Sequence, residues 1–292
     1  MNIILVILSA LVSAFSRAPA QADIPPNEYP QGILNQIVTE HLEENVSNKE
    51  KKVLFIGYDG YRRDCLPVIS SNENGAVSRI SSIGSLLMTY AGGTKDNPQQ
   101  TGTAVGWSTI LTGLSSEESG VWNNKSVKRD SAVTFLTRAA KNGFSCAFIS
   151  SYPSHFDKTL VRDIRKARRD SLSVEYIRTS NDEESRAVAI SLLEEGTADV
   201  VFVIFEYTDA AGHSYGFSSD EKAYTEACRK ADTAGAELVD VCLKTDSDAI
   251  DRLIVITTDH GGIGRRHGGQ SNAERETWAA ISHKLELENK LS

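Results

Sequence analysis

Residues 253–269 constrain the fold most strongly, because an apolar run ends there abruptly at an acid and an imidazole. The segment reads LIVITTDHGGIGRRHGG. Its β-branched start is too short for a helix and is typical of a buried parallel strand. Asp259 and His260 therefore lie where the strand ends, and a glycine-rich loop brings His267 back towards them. A carboxylate and imidazoles on easily bent backbone are suitable ligands for a transition-metal ion.

Two further apolar runs end in the same way. Residues 53–58 and 200–205 have the pattern of buried strands, and polar side chains follow both of them. These side chains are Asp59 after the first run, and Glu206, Asp209 and His213 after the second. In an open parallel sheet the carboxyl ends of the strands lie on one edge, where ligands bind. We therefore expect acids from three distant segments to meet at this edge.

Helix-capping signals separate the apolar runs and indicate the fold class. Strands that alternate with helices are joined by right-handed crossovers and form a sheet covered on both faces. We therefore predict an α/β fold with a mostly parallel central sheet, helices on both faces and a single domain over residues 51–292. The signals are a helix that ends at Gly113, a cap at Asp130 or Ser131 for a helix that stops at residues 142–143, a strand at 144–149, a capping box of Ser180 with Glu183 for a helix that ends near Gly196, and a start at Ser218 with Glu221 for a helix to about Lys244.

The composition excludes some classes of protein. With 292 residues, 40% of them apolar and 24% charged, the chain is long enough for one large α/β domain with its own core. The net charge of −8 argues against a nucleic-acid-binding surface, because contact with phosphate backbones needs a basic face. An anionic substrate would have to be attracted by metal ions or by local basic residues.

The N-terminus has the pattern of a secretory signal peptide over residues 1–22. An apolar run over residues 3–15 is followed by AQA at residues 20–22, a small-residue cleavage site. The run is shorter than the ~20 residues that a membrane span needs, which argues against an uncleaved signal anchor, and no other segment could cross a membrane. We therefore expect a protein that is secreted or held in the lumen of the secretory pathway. Residues 23–50 are predicted to form an N-terminal leader that crosses the surface.

The four cysteines leave two alternatives open. They are Cys65, Cys146, Cys228 and Cys242. An oxidising compartment would permit up to two disulfides among them, in three connectivities. If Cys228 and Cys242 lie on one straight helix, their 14-residue separation places them about 21 Å apart, too far to pair. The alternative is that the thiols are buried and free.

Residues 99–113 form a small-residue stretch that turns into a helix. They read QQTGTAVGWSTILTG. A hydroxyl at such a transition faces free backbone N–H groups and the positive end of the helix, which suits a bound phosphate. Thr103 or Thr101 could instead be the N-cap of this helix. Taken alone, the stretch favours the cap.

Five motifs, taken in order along the chain, carry a family resemblance. They are GYDG at residues 57–60, the stretch 103–113 with Gly120 downstream, DAAGH at 209–213, DHG at 259–261 and HG at 267–268. With these motifs the chain resembles the alkaline phosphatase superfamily and, within it, the nucleotide pyrophosphatase/phosphodiesterase group. The resemblance implies an alkaline phosphatase-like catalytic domain over residues 51–292.

The resemblance also implies a role for each matching side chain. One metal ion would be bound by Asp209, His213 and His267, and a second by Asp59, Asp259, His260 and the hydroxyl of Thr103. Thr103 would be the nucleophile. Asn124 would hold a phosphoryl oxygen, so the sequon that begins at Asn124 would be unglycosylated.

The chemistry of these side chains is consistent with such roles. Nitrogen ligands mixed with carboxylates favour zinc over magnesium or calcium, which prefer oxygen ligands. We therefore expect two Zn²⁺ ions, with other divalent transition metals as alternatives. Two ions roughly 3.5–4 Å apart would clamp the attacking and leaving oxygens of an in-line displacement. A threonine activated in this way would form a covalent phosphoryl or nucleotidyl intermediate.

Two departures from the family pattern bear on the site. Val105 and Gly106 stand where the larger pyrophosphatases carry Pro-Asn after the nucleophile, so Thr101 stays a second nucleophile candidate. His260 and His267 are seven positions apart, whereas larger relatives insert a long segment there. The lid that shapes substrate choice in those relatives is therefore absent here or built elsewhere.

Several other side chains are interpreted as structural. His41, His155 and His283 stand alone in the sequence and are expected to be surface or core histidines. The basic run at residues 162–169 is interpreted as a solvated helix face. Trp107 is expected to form a wall of the site.

The sequence therefore predicts a secreted two-metal hydrolase of phosphodiester or pyrophosphate bonds. It would act on a small phosphate ester through a covalent threonine intermediate. The alternatives are a phosphomonoesterase on the same site and a catalytically silent, metal-stabilised binding protein. Sulfatase chemistry is disfavoured, because the formylglycine motif Cys-x-Pro-x-Arg is missing around Thr103. A cofactor-independent phosphoglycerate mutase would need an inserted domain, for which this chain has no room.

Overall fold

The computed structural model describes residues 24–25, 28–44, 48–127 and 133–285. The predicted signal peptide lies outside these ranges. So do the sequence-predicted cap residues Asp130 and Ser131.

A central sheet of eight strands organises the described residues. Its strand order is β1-β3-β10-β9-β2-β8-β6-β7; β10 runs antiparallel to β3 and β9, and the other neighbours pair in parallel. The α/β class with a mostly parallel sheet is therefore confirmed. The strands are β1 (Tyr29–Pro30), β2 (Glu50–Tyr58), β3 (Ser85–Tyr90), β6 (Cys146–Ser150), β7 (Val174–Arg178), β8 (Val200–Phe205), β9 (Ile250–Thr257) and β10 (Glu276–Ile281), and a separate hairpin contains β4 (Val121–Asn123) and β5 (Ser126–Val127).

Helices cover both faces of the sheet. One face packs against α2, α3, α8 and α10, and the other against α1, α4, α6 and α7. Both faces are apolar because successive side chains of a strand point to opposite sides: Leu54 and Ile56 face one layer, and Val53 and Phe55 the other. The helices are α1 (Ile33–Glu43), α2 (Leu66–Ser70), α3 (Ala76–Ile83), α4 (Thr103–Thr112), α5 (Ser116–Ser119), α6 (Phe135–Lys141), α7 (Val161–Arg169), α8 (Asp182–Glu195), α9 (Tyr207–Tyr215), α10 (Lys222–Thr245) and α11 (Asn272–Arg275), with a 3₁₀ turn at Arg63–Cys65 and a π-helical turn at His155–Thr159.

Helix α1 differs from the surface leader that the sequence suggested for residues 23–50. Leu34 and Val38 are fully buried and belong to the same core cluster as Phe55 of β2. The helix can be buried because its apolar residues recur at helical spacing and form one face. This part of the predicted leader therefore contributes to the core, while the predicted domain boundaries otherwise stay predictions.

The predicted start of α8 is wrong by one residue. Asn181, and not Ser180, is the N-cap, and its Oδ1 accepts a hydrogen bond from the backbone N–H of Glu184 at 2.9 Å. The Glu184 carboxylate in turn accepts from the N–H of Ser180 at 2.7 Å. Asn caps as well as Ser does, so a Ser–Asn pair followed by two glutamates permits either register.

Helix α10 begins later than predicted but carries the expected cysteines. It starts at Lys222 with Glu221 as N-cap, and not at Ser218. Cys228 and Cys242 both lie on it. All four cysteines of the chain lie in the described ranges, where they are buried and free. None of the helices in those ranges is both long and apolar enough to span a bilayer.

Candidate metal and catalytic site

The carboxyl ends of β2, β8 and β9 carry the acids that the sequence singled out. Strand β2 lies between the other two, with Gly57 paired to Ile204 on one side and to Thr257 on the other. Asp59, Glu206 and Asp259 follow these strands within two residues. The predicted convergence of three distant segments at one edge of the sheet is therefore confirmed.

Four side chains at this edge are spaced like the ligands of one ion. Thr103 Oγ1 lies 3.5 Å from Asp59 Oδ1 and 3.4 Å from His260 Nε2. His260 Nε2 lies 3.5 Å from Asp59 Oδ1 and 3.4 Å from Asp259 Oδ2. These distances are longer than good hydrogen bonds. Two ligands of a tetrahedral zinc ion, each 2.0–2.2 Å from the metal, lie about 3.3–3.5 Å apart.

The charge of this first cluster also favours a cation. Asp59 and Asp259 are completely buried, and Asp259 Oδ2 has no hydrogen-bond partner among the described residues. Burial raises the pKa of both carboxyls well above its usual range, and a neighbouring carboxylate, Asp209 for Asp59 and Asp59 for Asp259, raises it further. Adjacent buried carboxylates are costly without positive charge between them.

The tautomer and the pKa of His260 suit a neutral metal ligand. Its Nδ1–H donates to the carbonyl of Gly261 at 2.7 Å, so the lone pair is on Nε2, the atom that approaches the carboxylates. Burial, assisted by the charge of His267, lowers the pKa of His260 to about 3. A second hydrogen bond that fixes the tautomer is the usual arrangement of a metal-ligating histidine.

A second cluster contains Asp209, His213 and His267. His213 Nε2 lies 3.3 Å from Asp209 Oδ2, and His267 Nε2 lies 3.6 Å from Asp209 Oδ1. The Nδ1 atoms of the two imidazoles lie 3.0 Å from the carbonyl of Arg265 and 3.1 Å from that of Thr101. These hydrogen bonds again leave Nε2 as the free ring nitrogen in the neutral form.

Asp209 attracts positive charge in this second cluster. Burial acts to raise its pKa, but the hydrogen bond from His213 and the electrostatic influence of the neighbouring imidazoles His260 and His267 outweigh it and hold the pKa below its usual range. The hydrogen bond to Asp209 raises the pKa of His213 to about 9. The rings of His260 and His267 stack with centroids 4.0 Å apart, so the two clusters adjoin.

The helix α4 presents Thr103 to the first cluster. Gly102 is the N-cap of α4 and makes no side-chain cap, so the structure gives Thr103 no capping role. Thr101 is engaged elsewhere: its hydroxyl donates to the carbonyl of Gly269 at 2.8 Å and accepts from the N–H of Gly268 at 3.2 Å. Of the two candidate hydroxyls, Thr103 therefore is the one that lies among the acids.

Asn124 lies beside the start of α4. Its Oδ1 accepts a hydrogen bond from the N–H of Ala104 at 2.9 Å. This contact fixes the amide next to Thr103 and leaves the Nδ2 group as a donor. The neighbouring Trp107, expected to be a wall, instead donates through Nε1 to Asp59 Oδ2 at 2.8 Å and so orients a carboxylate of the cluster.

His155 is not the isolated histidine that the sequence suggested. It is buried, and one of its ring nitrogens lies within 4.8 Å of carboxylate oxygens of Asp59 and Glu206. Its Nε2 and Glu206 Oε1 are buried without a hydrogen-bond partner among the described residues. Burial, and then the charge of Asp59, raises the pKa of Glu206 well above its usual range. No spacing in the sequence links residue 155 to the strand ends, so local patterns could not find it.

Comparison with known proteins identifies the family of the chain. The family model described as type I phosphodiesterase / nucleotide pyrophosphatase matches residues 53–265. Alkaline phosphatase PhoK from Sphingomonas sp. is 28% identical over 102 residues, which cover 32% of this chain and 17% of that protein.

Two solved structures share the fold. Murine ectonucleotide pyrophosphatase/phosphodiesterase 5 aligns with a TM-score of 0.52 and 18% identity, over 72% of this chain and 57% of the other. Phosphonoacetate hydrolase from Sinorhizobium meliloti 1021 aligns with a TM-score of 0.51 and 16% identity, over 73% and 56%. The chain thus spans little more than half the length of these two proteins. Because the family model covers well over half of the sequence, this chain belongs to the type I phosphodiesterase / nucleotide pyrophosphatase family.

Proposed function

We propose that this chain hydrolyses phosphodiester or pyrophosphate bonds of a small phosphate ester through a covalent intermediate on Thr103. Two divalent metal ions would be held by the two clusters. Asp59, Thr103, Asp259 and His260 would bind one ion, and Asp209, His213 and His267 the other. The mixture of imidazole and carboxylate ligands favours zinc.

The observation that carries the proposal is the position of the Thr103 hydroxyl. It lies 3.5 Å from a buried carboxylate and 3.4 Å from a neutral imidazole nitrogen, at the same spacing as the other members of the cluster. A hydroxyl with only a structural role would gain nothing from lying among groups that favour a cation. Two buried carboxylate oxygens without a hydrogen-bond partner among the described residues, Asp209 Oδ1 and Asp259 Oδ2, belong to this pair of clusters.

The proposed reaction has two displacement steps, the first by Thr103 and the second by water. Thr103 Oγ1 forms a bond to phosphorus, the bond to the leaving oxygen breaks, and that oxygen gains a proton as it departs. Water then attacks the phosphorus, the bond from phosphorus to Thr103 Oγ1 breaks, and a proton of the attacking water restores the Thr103 hydroxyl. When bound, the two ions would lower the pKa of the Thr103 hydroxyl and stabilise the charge on the attacking and leaving oxygens.

Asn124 and the start of α4 would hold the transferred group. The Asn124 amide, fixed by Ala104 N–H, would donate through Nδ2 to a phosphoryl oxygen. The positive end of α4 faces the same position and favours an anion there. A sugar on Asn124 would block this contact, so the sequon at this residue should stay unmodified.

A phosphomonoesterase is the second candidate. The match to an alkaline phosphatase over 102 residues favours it. The linker of six residues between His260 and His267 leaves little chain for a lid that would select larger esters.

The test compares three substrates with three forms of the protein. Bis-p-nitrophenyl phosphate, a nucleotide p-nitrophenyl ester and p-nitrophenyl phosphate are assayed with wild type, Thr103→Ala and Thr103→Ser after zinc loading. We expect faster turnover of the two diesters and a loss of at least about a thousandfold in kcat for Thr103→Ala. Thr103→Ser keeps a hydroxyl at the same position and should retain a measurable part of the activity.

Other outcomes would redirect the proposal. Faster turnover of the monoester would favour the phosphomonoesterase. An inactive but zinc-loaded wild type would favour a metal-stabilised binding protein. Activity of Thr103→Ala equal to that of wild type would remove Thr103 from the mechanism.

We also propose that the protein is secreted or held in the secretory lumen after cleavage behind residue 22. The apolar run at residues 3–15 and the small residues at 20–22 support this. Expression of the full chain in a secreting host should give a product whose first residue is Asp23. An intact Met1 on the cell-associated protein would contradict it.

A further inference from the structure

Three side chains that are far apart in the sequence meet at the opposite edge of the sheet. His41 lies near the end of α1, Asp251 near the start of β9, and His283 just after β10. One potential ligand atom from each lies within 4.8 Å of the others. Asp251 precedes Asp259 by eight residues along an extended strand, which separates the two by about 26 Å. This group is therefore distinct from the catalytic edge, and it contradicts the expectation that His41 and His283 stand alone.

The distance between His283 and Asp251 suits a shared ion better than a hydrogen bond. His283 Nε2 lies 3.4 Å from Asp251 Oδ1. A good N–H···O hydrogen bond is shorter, at roughly 2.7–3.2 Å. Ligands on one tetrahedral zinc ion are about 3.3–3.5 Å apart. The rings of His41 and His283 meet edge to face with centroids 5.3 Å apart.

Each imidazole is oriented through its other nitrogen. His41 Nε2 lies 3.1 Å from the carbonyl of Lys52, which can only accept, so the neutral ring keeps its lone pair on Nδ1. His283 Nδ1 lies 3.1 Å from Ser282 Oγ, and its Nε2 approaches Asp251. Hydrogen bonds of this kind support metal-ligating histidines.

The net charge around the group is negative, which favours a cation. Asp251 Oδ2 is paired with Lys51 Nζ at 2.7 Å, which leaves Oδ1 for another partner. Lys51 is also paired with Glu44 at 3.4 Å. The formal charges of Lys51, Glu44 and Asp251 sum to −1. A divalent ion would therefore enter a site that is already negative.

We propose that His41, Asp251 and His283 form a third metal site, for a divalent transition ion of the zinc class. Two imidazoles and one carboxylate select such an ion over magnesium or calcium. The ion would tie the end of α1 and the segment after β10 to the start of β9. Its role is structural, and it does not depend on the proposed function.

The test counts bound zinc. Wild type, His283→Asn and the neighbouring control Lys284→Asn are stripped of metal, dialysed against Zn²⁺ and analysed for zinc per chain. His283 is partly exposed and Lys284 exposed, so both variants should fold, which circular dichroism checks. We expect His283→Asn to bind one equivalent less than wild type, and Lys284→Asn to bind as much as wild type. Co²⁺ bound at this site should give a visible absorption band in wild type. His283→Asn should lack this band.

A further variant separates this inference from the proposed function. Asp209→Ala with His213→Ala should lose zinc from the catalytic edge and keep the equivalent that His283→Asn loses. Equal zinc in His283→Asn and wild type would mean that His283 and Asp251 form only an ion pair, and would overturn the third site. If the Asp209/His213 variant loses zinc and activity, the proposed function is supported, and this result does not depend on what His283→Asn shows.

Discussion

At the scale of single residues, two oxygen atoms give the clearest sign that a cation belongs in the site. Asp209 Oδ1 and Asp259 Oδ2 are buried and have no hydrogen-bond partner in the described part of the chain. An unpaired buried polar atom costs roughly 1–3 kcal/mol, and more if it is charged. Metal ions at the two clusters would remove both costs. Bound cations would therefore explain both the unpaired oxygens and the ligand-like distances.

Asn124 offers a test of transition-state binding. Asn124→Ala removes the amide that would donate to the phosphoryl oxygen, so kcat should fall by about tenfold to a thousandfold. The measurement is steady-state kinetics on the best diester substrate.

Asn123 is the matched control for this substitution. Its Oδ1 accepts from the N–H of Lys125 at 2.8 Å, within the β4–β5 turn. Asn123→Ala should change kcat by less than about threefold, because its amide oxygen is engaged within the turn and no role in holding the transferred group is proposed for it. If the two variants lose activity equally, the effect of Asn124 belongs to the turn and not to the substrate.

At the scale of elements, α4 can carry Thr103 to the acids only because it packs closely on the end of β9. A Cβ built on Gly106 would lie 2.6 Å from the carbonyl oxygen of Asp259. A side chain at this position would push the helix and the strand end apart. The glycine at position 106 therefore has a packing reason.

Gly106→Ala should lower both stability and activity. Alanine in a helix is normally better than glycine by about 1 kcal/mol, so a loss here would be diagnostic of the close approach. We expect unfolding to become easier by about 1–3 kcal/mol in urea titrations, and kcat to fall as Thr103 moves from Asp259.

Gly32→Ala is the control for Gly106→Ala. At the start of α1 the added Cβ would be no closer than 3.4 Å to its nearest neighbour, Gly113 O. This variant should stay within about 0.5 kcal/mol of wild type. A stabilised Gly106→Ala would show that α4 has room to move and would weaken the account of how Thr103 is positioned.

Asp232 of α10 accepts a hydrogen bond from α3, and its contribution to the free energy of unfolding depends on pH. Its Oδ1 accepts from the N–H of Val77 at 3.0 Å, but Oδ2 is buried without a partner among the described residues. Burial raises the pKa of Asp232 to about 6. The folded state therefore holds a proton that the unfolded state releases between about pH 4 and 6, so this residue's contribution to stability falls as pH rises through that window.

Asp232→Asn should therefore stabilise the protein above pH 6. The amide keeps the acceptor for Val77 and has no charge to bury, so the gain at pH 8 should be at most about 3 kcal/mol and should shrink towards pH 4. Urea unfolding at both pH values measures it. Asp240→Asn, on the same helix in a half-exposed ion pair with Arg79, should change stability by less than about 1 kcal/mol. A variant less stable than wild type at pH 8 would contradict the buried charge.

At the scale of the whole molecule, the parallel topology separates two kinds of site. The carboxyl ends of β2, β8 and β9 gather the side chains of the proposed catalytic site, and the opposite ends of β2 and β9 gather the group around Asp251. The antiparallel strand β10 closes the sheet and carries the chain to His283. Both groups combine residues that are far apart in sequence.

The sequence predicted the elements that local residue patterns determine. The strands before Asp59, Glu206 and Asp259 are buried on both faces, so they read as continuous apolar runs that end in polar ligands. The glycine-rich loop after the strand before Asp259 reinforced the signal. The edge of the sheet where the acids meet followed from the parallel topology alone.

The parts that the sequence did not predict depend on three-dimensional partners. His41 and His283 meet because α1 packs on β2 while β10 pairs with β9, the neighbour of β2 in the sheet, and no pattern links positions 242 residues apart. The cap of α8 shifted by one residue because Ser180 and Asn181 are equally good caps. Helix α1 was detectable from its apolar spacing, but the prolines before it and the acids after it suggested a leader.

Anomalous diffraction at the zinc edge, from crystals of the zinc-loaded chain, tests the central claim most directly. The account predicts two peaks at the carboxyl edge of the sheet, roughly 3.5–4 Å apart. One should lie among Asp59, Thr103, Asp259 and His260, and the other among Asp209, His213 and His267. A loaded crystal with no peak within bonding distance of Thr103 Oγ1, or with His213 and His267 turned away from a common ion, would contradict it.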